Sequence, residues 1–265
     1  SLLDTGPVGA GLPAMRPART TQTSKIDCEA NDLIVGNRIA ARPEPEYYPS
    51  MQIDLFSPTA SREPQWLGRQ VVLLPGFALE RVEQLLPALR QIVLAAPFRN
   101  MTTPGGRTIA VRVTNCGALG WISDQRGYRY SPVDPLSGQP WPAMPAIFAE
   151  LAAAAARVAG FDDFTPDACL VNSYLPGNRL TLHQDRNERD FSQPIVSVSL
   201  GLPATFLLGG HERAQRTEKV GLQHGDVMVW GGEDRLRFHG ILPLKDGRHP
   251  LLGARRINFT LRKAG

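Results

Sequence analysis

The chain has 265 residues, 42% of them hydrophobic and 20% charged, with 29 Lys and Arg against 25 Asp and Glu. That balance excludes a charge-extended disordered polymer, and no apolar run approaches the roughly 20 residues that span a bilayer, so a folded chain without a membrane partner is expected. The 23 Pro and 25 Gly exclude a helix bundle and predict many turns and short, mainly β, elements.

In chain order, residues 1–50 are rich in Pro, Gly, Ser and Thr, lack sustained periodicity and form an extension of unknown role. They show no basic stretch followed by an apolar one, so no secretory leader is expected and a cytoplasmic location follows. After MQIDLF, QVVLLPGF predicts a short strand, and residues 78–95 predict a helix, with Val82, Leu85, Leu86, Leu89 and Val93 at helical spacing and a kink at Pro87. Residues 107–113 alternate as a strand, the remainder to Trp141 is turn-rich, and residues 145–159 predict a second helix closed by Gly160. After Pro166 six runs read as strands: ACLVNSY, PIVSVSLG, ATFLLGG, GDVMVWGG, LRFHGIL and RRINFTLR. Six such runs predict a sandwich or barrel. The three cysteines, Cys28, Cys116 and Cys169, are far apart and odd in number, which suits inert reduced thiols.

Charge is uneven. Between residues 97 and 140 five arginines (99, 107, 112, 126 and 129) face only Asp124 and Asp134, with Trp121, Tyr128 and Tyr130 interleaved. Cations that meet phosphates and rings that stack on bases give a nucleic-acid surface this character; a solvated face with a few packed rings does so as well.

Three constellations carry chemistry. His183 and Asp185 are two positions apart, hence on one face of an extended segment, and His239 in RFHG adds a third donor from a distant strand. Two imidazoles and one carboxylate leave three positions open on an octahedral Fe(II), as oxygenases require. A His-x-acid pair arises by chance about 0.5 times in a chain of this composition, so the triad alone is weak. His211, His224 and His249 have no comparable partner and are expected at the surface or in turns. In RRINFTLR, Arg256, Asn258, Thr260 and Arg262 share one strand face, with the arginines about 20 Å apart along it. Two planar guanidinium forks leaning inwards suit the ends of a small dicarboxylate; a solvent-facing polar side is the alternative. Asn172 and Tyr174, again two apart, add an amide and a phenol, and Trp230 in MVWGG walls the same pocket unless it is a core Trp.

Taken together, NCGALGW, GYRYSP, WPAMP, PDACLVNSYLPG, LHQDRNE, PIVSVSLGLPATF, HGDVMVWGGE, RFHGI and RRINFTLR resemble, in order and approximate spacing, the AlkB family of bacterial nucleic-acid dealkylases over residues 51–264. The resemblance implies a single domain over residues 51–265, mainly β with flanking helices. It would have a nucleotide-recognition lid at about 97–140 and a double-stranded β-helix (jelly-roll) core at about 166–265. It also implies Fe(II), 2-oxoglutarate and O2 as cofactors. By position, His183, Asp185 and His239 fall on the iron ligands. Arg256 and Arg262 fall on the grip for 2-oxoglutarate, with Asn172, Tyr174, Asn258 and the Trp230 wall. Trp121 falls on the ring that stacks on the damaged base, Tyr128 on a contact to the nucleotide backbone, and Thr103, Pro104 and Gly105 on the lid near the phosphates. The implied activity is oxidative demethylation of bases such as 1-methyladenine and 3-methylcytosine, flipped out of single-stranded or duplex DNA and possibly of RNA, releasing formaldehyde, succinate and CO2. A monomer is expected. Departures from the family pattern are Asn187, where an acidic base contact is usual, and Arg107, Ile109 and Val113 at lid positions usually filled by Tyr and Met. Altered preference among damaged bases and stronger salt dependence are expected from them. The alternatives are an oxygenase of the same core acting on a protein or small molecule, and a jelly-roll binding module that holds zinc or nothing.

Overall fold

The structure is a computed structural model and describes residues 62–265. The extension at 1–50 and the MQIDLF segment therefore lie outside the described residues. Fourteen strands and two α-helices follow in chain order: β1 Gln65–Trp66, β2 Val71–Leu74, α1 Val82–Ala95, β3 Arg99–Thr102, β4 Thr108–Gly117, β5 Gly120–Asp124, β6 Gly127–Ser131 and α2 Ala146–Val158. The second half is β7 Ala168–Tyr174, β8 Leu180–His183, β9 Ile195–Gly201, β10 Ala204–Leu208, β11 Glu218–Leu222, β12 Val227–Trp230, β13 His239–Ile241 and β14 Arg256–Arg262.

Eight strands make one sheet in the order β1-β2-β12-β9-β14-β7-β4-β3, and four make a second in the order β11-β10-β13-β8. All the inter-strand pairings are antiparallel. This is the jelly-roll arrangement, a double-stranded β-helix of two facing sheets. The larger sheet is buried on both sides, which is why β7, β9 and β14 show no exposed residue. On β14 the period of two separates the faces: Ile257, Phe259 and Leu261 join a core with α1 and α2, whereas Arg256, Asn258, Thr260 and Arg262 point to the inter-sheet side. Phe148 of α2 stacks on Phe259 at 4.4 Å between ring centroids, fixing the helix layer to the sheet.

The first helix is shorter than the apolar spacing predicts. Residues 79–81 form a 3₁₀ turn, Val82 opens α1, and Pro87 is accommodated inside it. The stretch expected to be turn-rich instead holds the β5–β6 hairpin, closed by a two-residue turn in which the Asp124 carboxylate accepts from the Arg126 N–H at 2.8 Å. Residues 99–117 add β3 and β4 to the edge of the larger sheet. No helix among the described residues is long and apolar enough to cross a membrane.

Candidate metal centre and nucleic-acid interface

The three widely separated ligand candidates meet through the register of the smaller sheet. His239 of β13 is the direct cross-strand partner of His183 at the end of β8, and Asp185 follows in the next turn of chain. One donor atom from each lies within 4.8 Å of the others. The His183 Nδ1 stands 2.9 Å from the Thr181 carbonyl and the His239 Nδ1 3.0 Å from the Arg237 carbonyl. Both rings thus donate Nδ1–H to the backbone and turn Nε2 towards Asp185, at 3.8 and 3.9 Å. A carbonyl behind each ring fixes the tautomer that a metal needs. Burial, reinforced by His183, lowers the pKa of His239 to about 4, so it is a neutral donor at pH 7. Burial alone would raise Asp185, but Arg262 and the two imidazoles outweigh it and hold the carboxyl well below its usual range. The Arg262 Nη2 and Nε both donate to Asp185 Oδ2, at 2.7 and 3.0 Å.

These groups open into a cavity of about 710 Å³ lined by both sheets and the hairpin. On its floor Arg256, 1% exposed, lies over the Tyr174 ring at 4.9 Å and donates one Nη2 hydrogen bond to Ser199 Oγ. Its Nε and Nη1 are buried with no hydrogen-bond partner, and burial, only partly offset by the Tyr174 phenol, lowers its pKa. A buried cation with two unused donors facing a cavity fits a carboxylate ligand. Asn172 donates to Asn258 Oδ1 at 3.3 Å, while Asn258 donates to Ser197 Oγ and the Val198 carbonyl, forming a polar floor beside Arg256. Trp230 stands edge-on to His239 at 5.0 Å between ring centroids, and its buried indole N–H has no partner.

At the mouth, the rings of Trp121 and Tyr128 on β5 and β6 stack at 5.7 Å, and the Trp121 Nε1–H donates to Asn187 Oδ1 at 3.3 Å. The turn between β3 and β4 holds Thr103, Pro104 and Gly105; Thr103 lines the cavity, and Pro104 and Gly105 are exposed beside it. Arg107, Arg179 and Arg213 are exposed cations on the same rim.

Two features escaped the sequence reading. Glu188, buried at 6% exposure, accepts from the Tyr130 hydroxyl at 2.6 Å and from Arg235 at 3.1 Å, with Arg262 at 3.4 Å, so it ties the hairpin to the cation that holds Asp185. Its only sequence signal is proximity to Asp185. Secondly, His224 and His249, expected to stand without partners, pack ring to ring at 4.2 Å. Each accepts a backbone N–H at Nδ1, from Gly201 and Leu251 respectively.

A jelly roll with a partly buried two-His, one-carboxylate set beside a buried arginine defines a non-haem iron oxygenase that takes an acidic co-substrate. The family model described as the 2OG-Fe(II) oxygenase superfamily matches residues 70–262. The chain is 52% identical over 216 residues to the alpha-ketoglutarate-dependent dioxygenase AlkB of Escherichia coli (strain K12), covering 80% of this chain and 98% of that protein. It is 40% identical over 213 residues to an AlkB homolog of Caulobacter vibrioides, covering 77% and 95%. Among solved structures, "The structure of OsALKBH1" superposes with a TM-score of 0.67 at 28% identity, covering 76% of this chain and all of that one. The chain belongs to the AlkB family of 2OG-Fe(II) oxygenases, which use Fe(II), 2-oxoglutarate and O2.

Proposed function

We propose that the protein oxidatively demethylates N-alkylated bases such as 1-methyladenine and 3-methylcytosine in DNA and also in RNA, releasing formaldehyde, succinate and CO2. This would be direct-reversal repair of alkylation damage by a monomer in the cytoplasm. The observation that carries the reading is the cavity that joins the His183, Asp185 and His239 donors and the Arg256 guanidinium, with its Nε and Nη1 unused, to an aromatic, arginine-rimmed mouth. Relatives named as nucleic-acid enzymes support it, among them the mouse nucleic acid dioxygenase ALKBH1, 35% identical over 133 residues.

In this reading His183, Asp185 and His239 hold Fe(II), which with 2-oxoglutarate and O2 supplies the oxidation of the N-methyl carbon. Arg256 takes one carboxylate of 2-oxoglutarate in its two unused N–H groups, flanked by Tyr174, Asn172 and Asn258. Arg262 fixes Asp185 and offers the other end what its fork has left. Trp230 walls the pocket against water. A base inside a duplex cannot reach this depth, so it is flipped out against Trp121. Tyr128 and the Thr103, Pro104, Gly105 turn hold the backbone, and Asn187 faces the base.

The test is anaerobic loading with Fe(II) and 2-oxoglutarate, followed by air and single-stranded oligonucleotides carrying 1-methyladenine or 3-methylcytosine. Equal release of formaldehyde and succinate, dependent on the methylated base, is expected. Succinate without base-dependent formaldehyde would leave the oxygenase and remove the substrate.

A further inference from the structure

The segment that carries Asp185 out of β8 has no helix or strand of its own before β9 begins at Ile195. A side chain from another element holds it at four points. Arg235, 2% exposed, follows the 3₁₀ turn Gly232–Asp234 between β12 and β13. Its Nη1 donates to the Asp185 carbonyl at 3.0 Å, its Nε to the Gln193 carbonyl at 3.1 Å and its Nη2 to Glu188 Oε2 at 3.1 Å. The Phe191 ring covers the guanidinium at 5.5 Å. A planar fork serves three acceptors in fixed directions, which an ammonium on a flexible stem does not.

Arg235 and Glu188 complete a quartet with Arg262 and Asp185, two cations and two anions whose side chains are at most 11% exposed. Within the quartet one hydrogen is contested. Arg262 Nε carries a single N–H, and it lies 3.0 Å from Asp185 Oδ2 and 3.4 Å from Glu188 Oε1. Asp185 has the nearer oxygen while Glu188 is occupied by other donors, the Tyr130 hydroxyl on Oε1 at 2.6 Å and Arg235 on Oε2. Asp185 is thereby held with Oδ2 taken twice by Arg262 and Oδ1 facing the His183 Nε2 at 3.8 Å. A buried carboxylate that loses its cation is uncompensated and draws on the nearest one left, which for Glu188 is Arg262. We propose that Arg235 is a positioning residue of the metal centre: by occupying Glu188 it keeps Arg262 on Asp185, and so sets which carboxylate oxygen is offered to a divalent metal. The inference rests on the reading of His183, Asp185 and His239 as metal donors. Groups that orient a ligand from behind change metal affinity by about 10–100-fold. Charge alone acts in the opposite sense, because losing a nearby cation tightens the binding of a metal ion and losing a carboxylate loosens it.

The experiment titrates Co(II) into the metal-free full chain and reads its visible d–d absorption, with near-ultraviolet circular dichroism reporting the fold. Arg235→Gln is expected to bind on the order of tenfold or more weakly than wild type, with a changed spectrum. Arg235→Gln combined with Glu188→Gln removes both charges together and should return affinity to within about threefold of wild type, with the wild-type spectrum. A segment merely held in place by Arg235 is not rescued by that second change. Glu188→Gln alone, in which Arg262 has no competing carboxylate, should bind as wild type does or more tightly, and it carries the test if Arg235→Gln does not fold. Unchanged or tighter binding in Arg235→Gln, a double variant as weak as the single one, or weakening of about tenfold in Glu188→Gln would overturn the proposal. A folded wild type that binds no Co(II) would overturn the metal reading itself, and this inference with it.

Discussion

Arg256 is among the largest fully buried side chains of the described residues, yet two of its donors are unused. Burying a cation without an anion costs stability, and filling the same volume with an apolar chain is often neutral or stabilising. Arg256→Met is therefore expected to raise the KM for 2-oxoglutarate on the order of 100-fold. The melting temperature of the ligand-free protein should stay at or above that of wild type. A lowered melting temperature in calorimetry with an unchanged KM would make the guanidinium structural. Arg262 differs, because its Nε and Nη2 are already engaged by Asp185 and Glu188. The spacing of RRINFTLR puts both arginines on one face, but which of them stands free depends on what that face meets.

At the scale of elements, β14 and the β5–β6 hairpin divide the labour. Each face of β14 has its own company, helices on one side and cavity on the other, and this division is legible as alternation in RRINFTLR. The hairpin is not legible that way. Its pairing is made by backbone bonds between two short segments, and among its anchors are the Asn115 amide on the Trp121 backbone and the Tyr130 hydroxyl on the buried Glu188. Removing that hydroxyl leaves a buried carboxylate short of one donor, a loss of about 1–3 kcal/mol. Tyr130→Phe is expected to raise the KM for the methylated oligonucleotide several-fold with the KM for 2-oxoglutarate unchanged, which steady-state kinetics with each substrate varied in turn would test. β8 and β11 escaped prediction for a related reason. LTLH is only four residues long and EKVGL is charged, so both are short strands whose pairing is decided by a neighbour.

For the whole molecule, the histidine pair and the rim charges set the response to pH and salt. Burial, then the neighbouring His249 ring, lowers the pKa of His224 from 6.5 to about 4. The unfolded chain thus takes up this proton first as pH falls below about 6.5, so stability falls with pH until about 4 and then levels. In His224→Asn, whose side-chain oxygen can still accept the Gly201 N–H, this part of the loss is expected to vanish from urea midpoints measured between pH 7 and 4. A wild-type slope in the variant would assign the loss to other groups. Salt acts through the exposed arginines at the mouth. Arg107→Ala is expected to flatten the slope of log affinity against log salt by about 1 for single-stranded oligonucleotides, whatever their sequence. A slope equal to that of wild type would place Arg107 away from phosphate.

The sequence by itself determined the strand-rich second half, the two helices and the presence of two imidazoles and a carboxylate. These rest on local rules, alternation, turn residues and side-chain chemistry, that need no knowledge of neighbours. Tertiary structure alone decided that His239 pairs with His183 across two strands distant in sequence, and that Arg262 closes on Asp185. It likewise decided that Glu188 is spent on Tyr130 and Arg235 while Arg256 keeps two donors for a ligand. Register and the competition of several cations for few buried carboxylates are properties of packed strands, because each partner is chosen by geometry that no segment encodes alone.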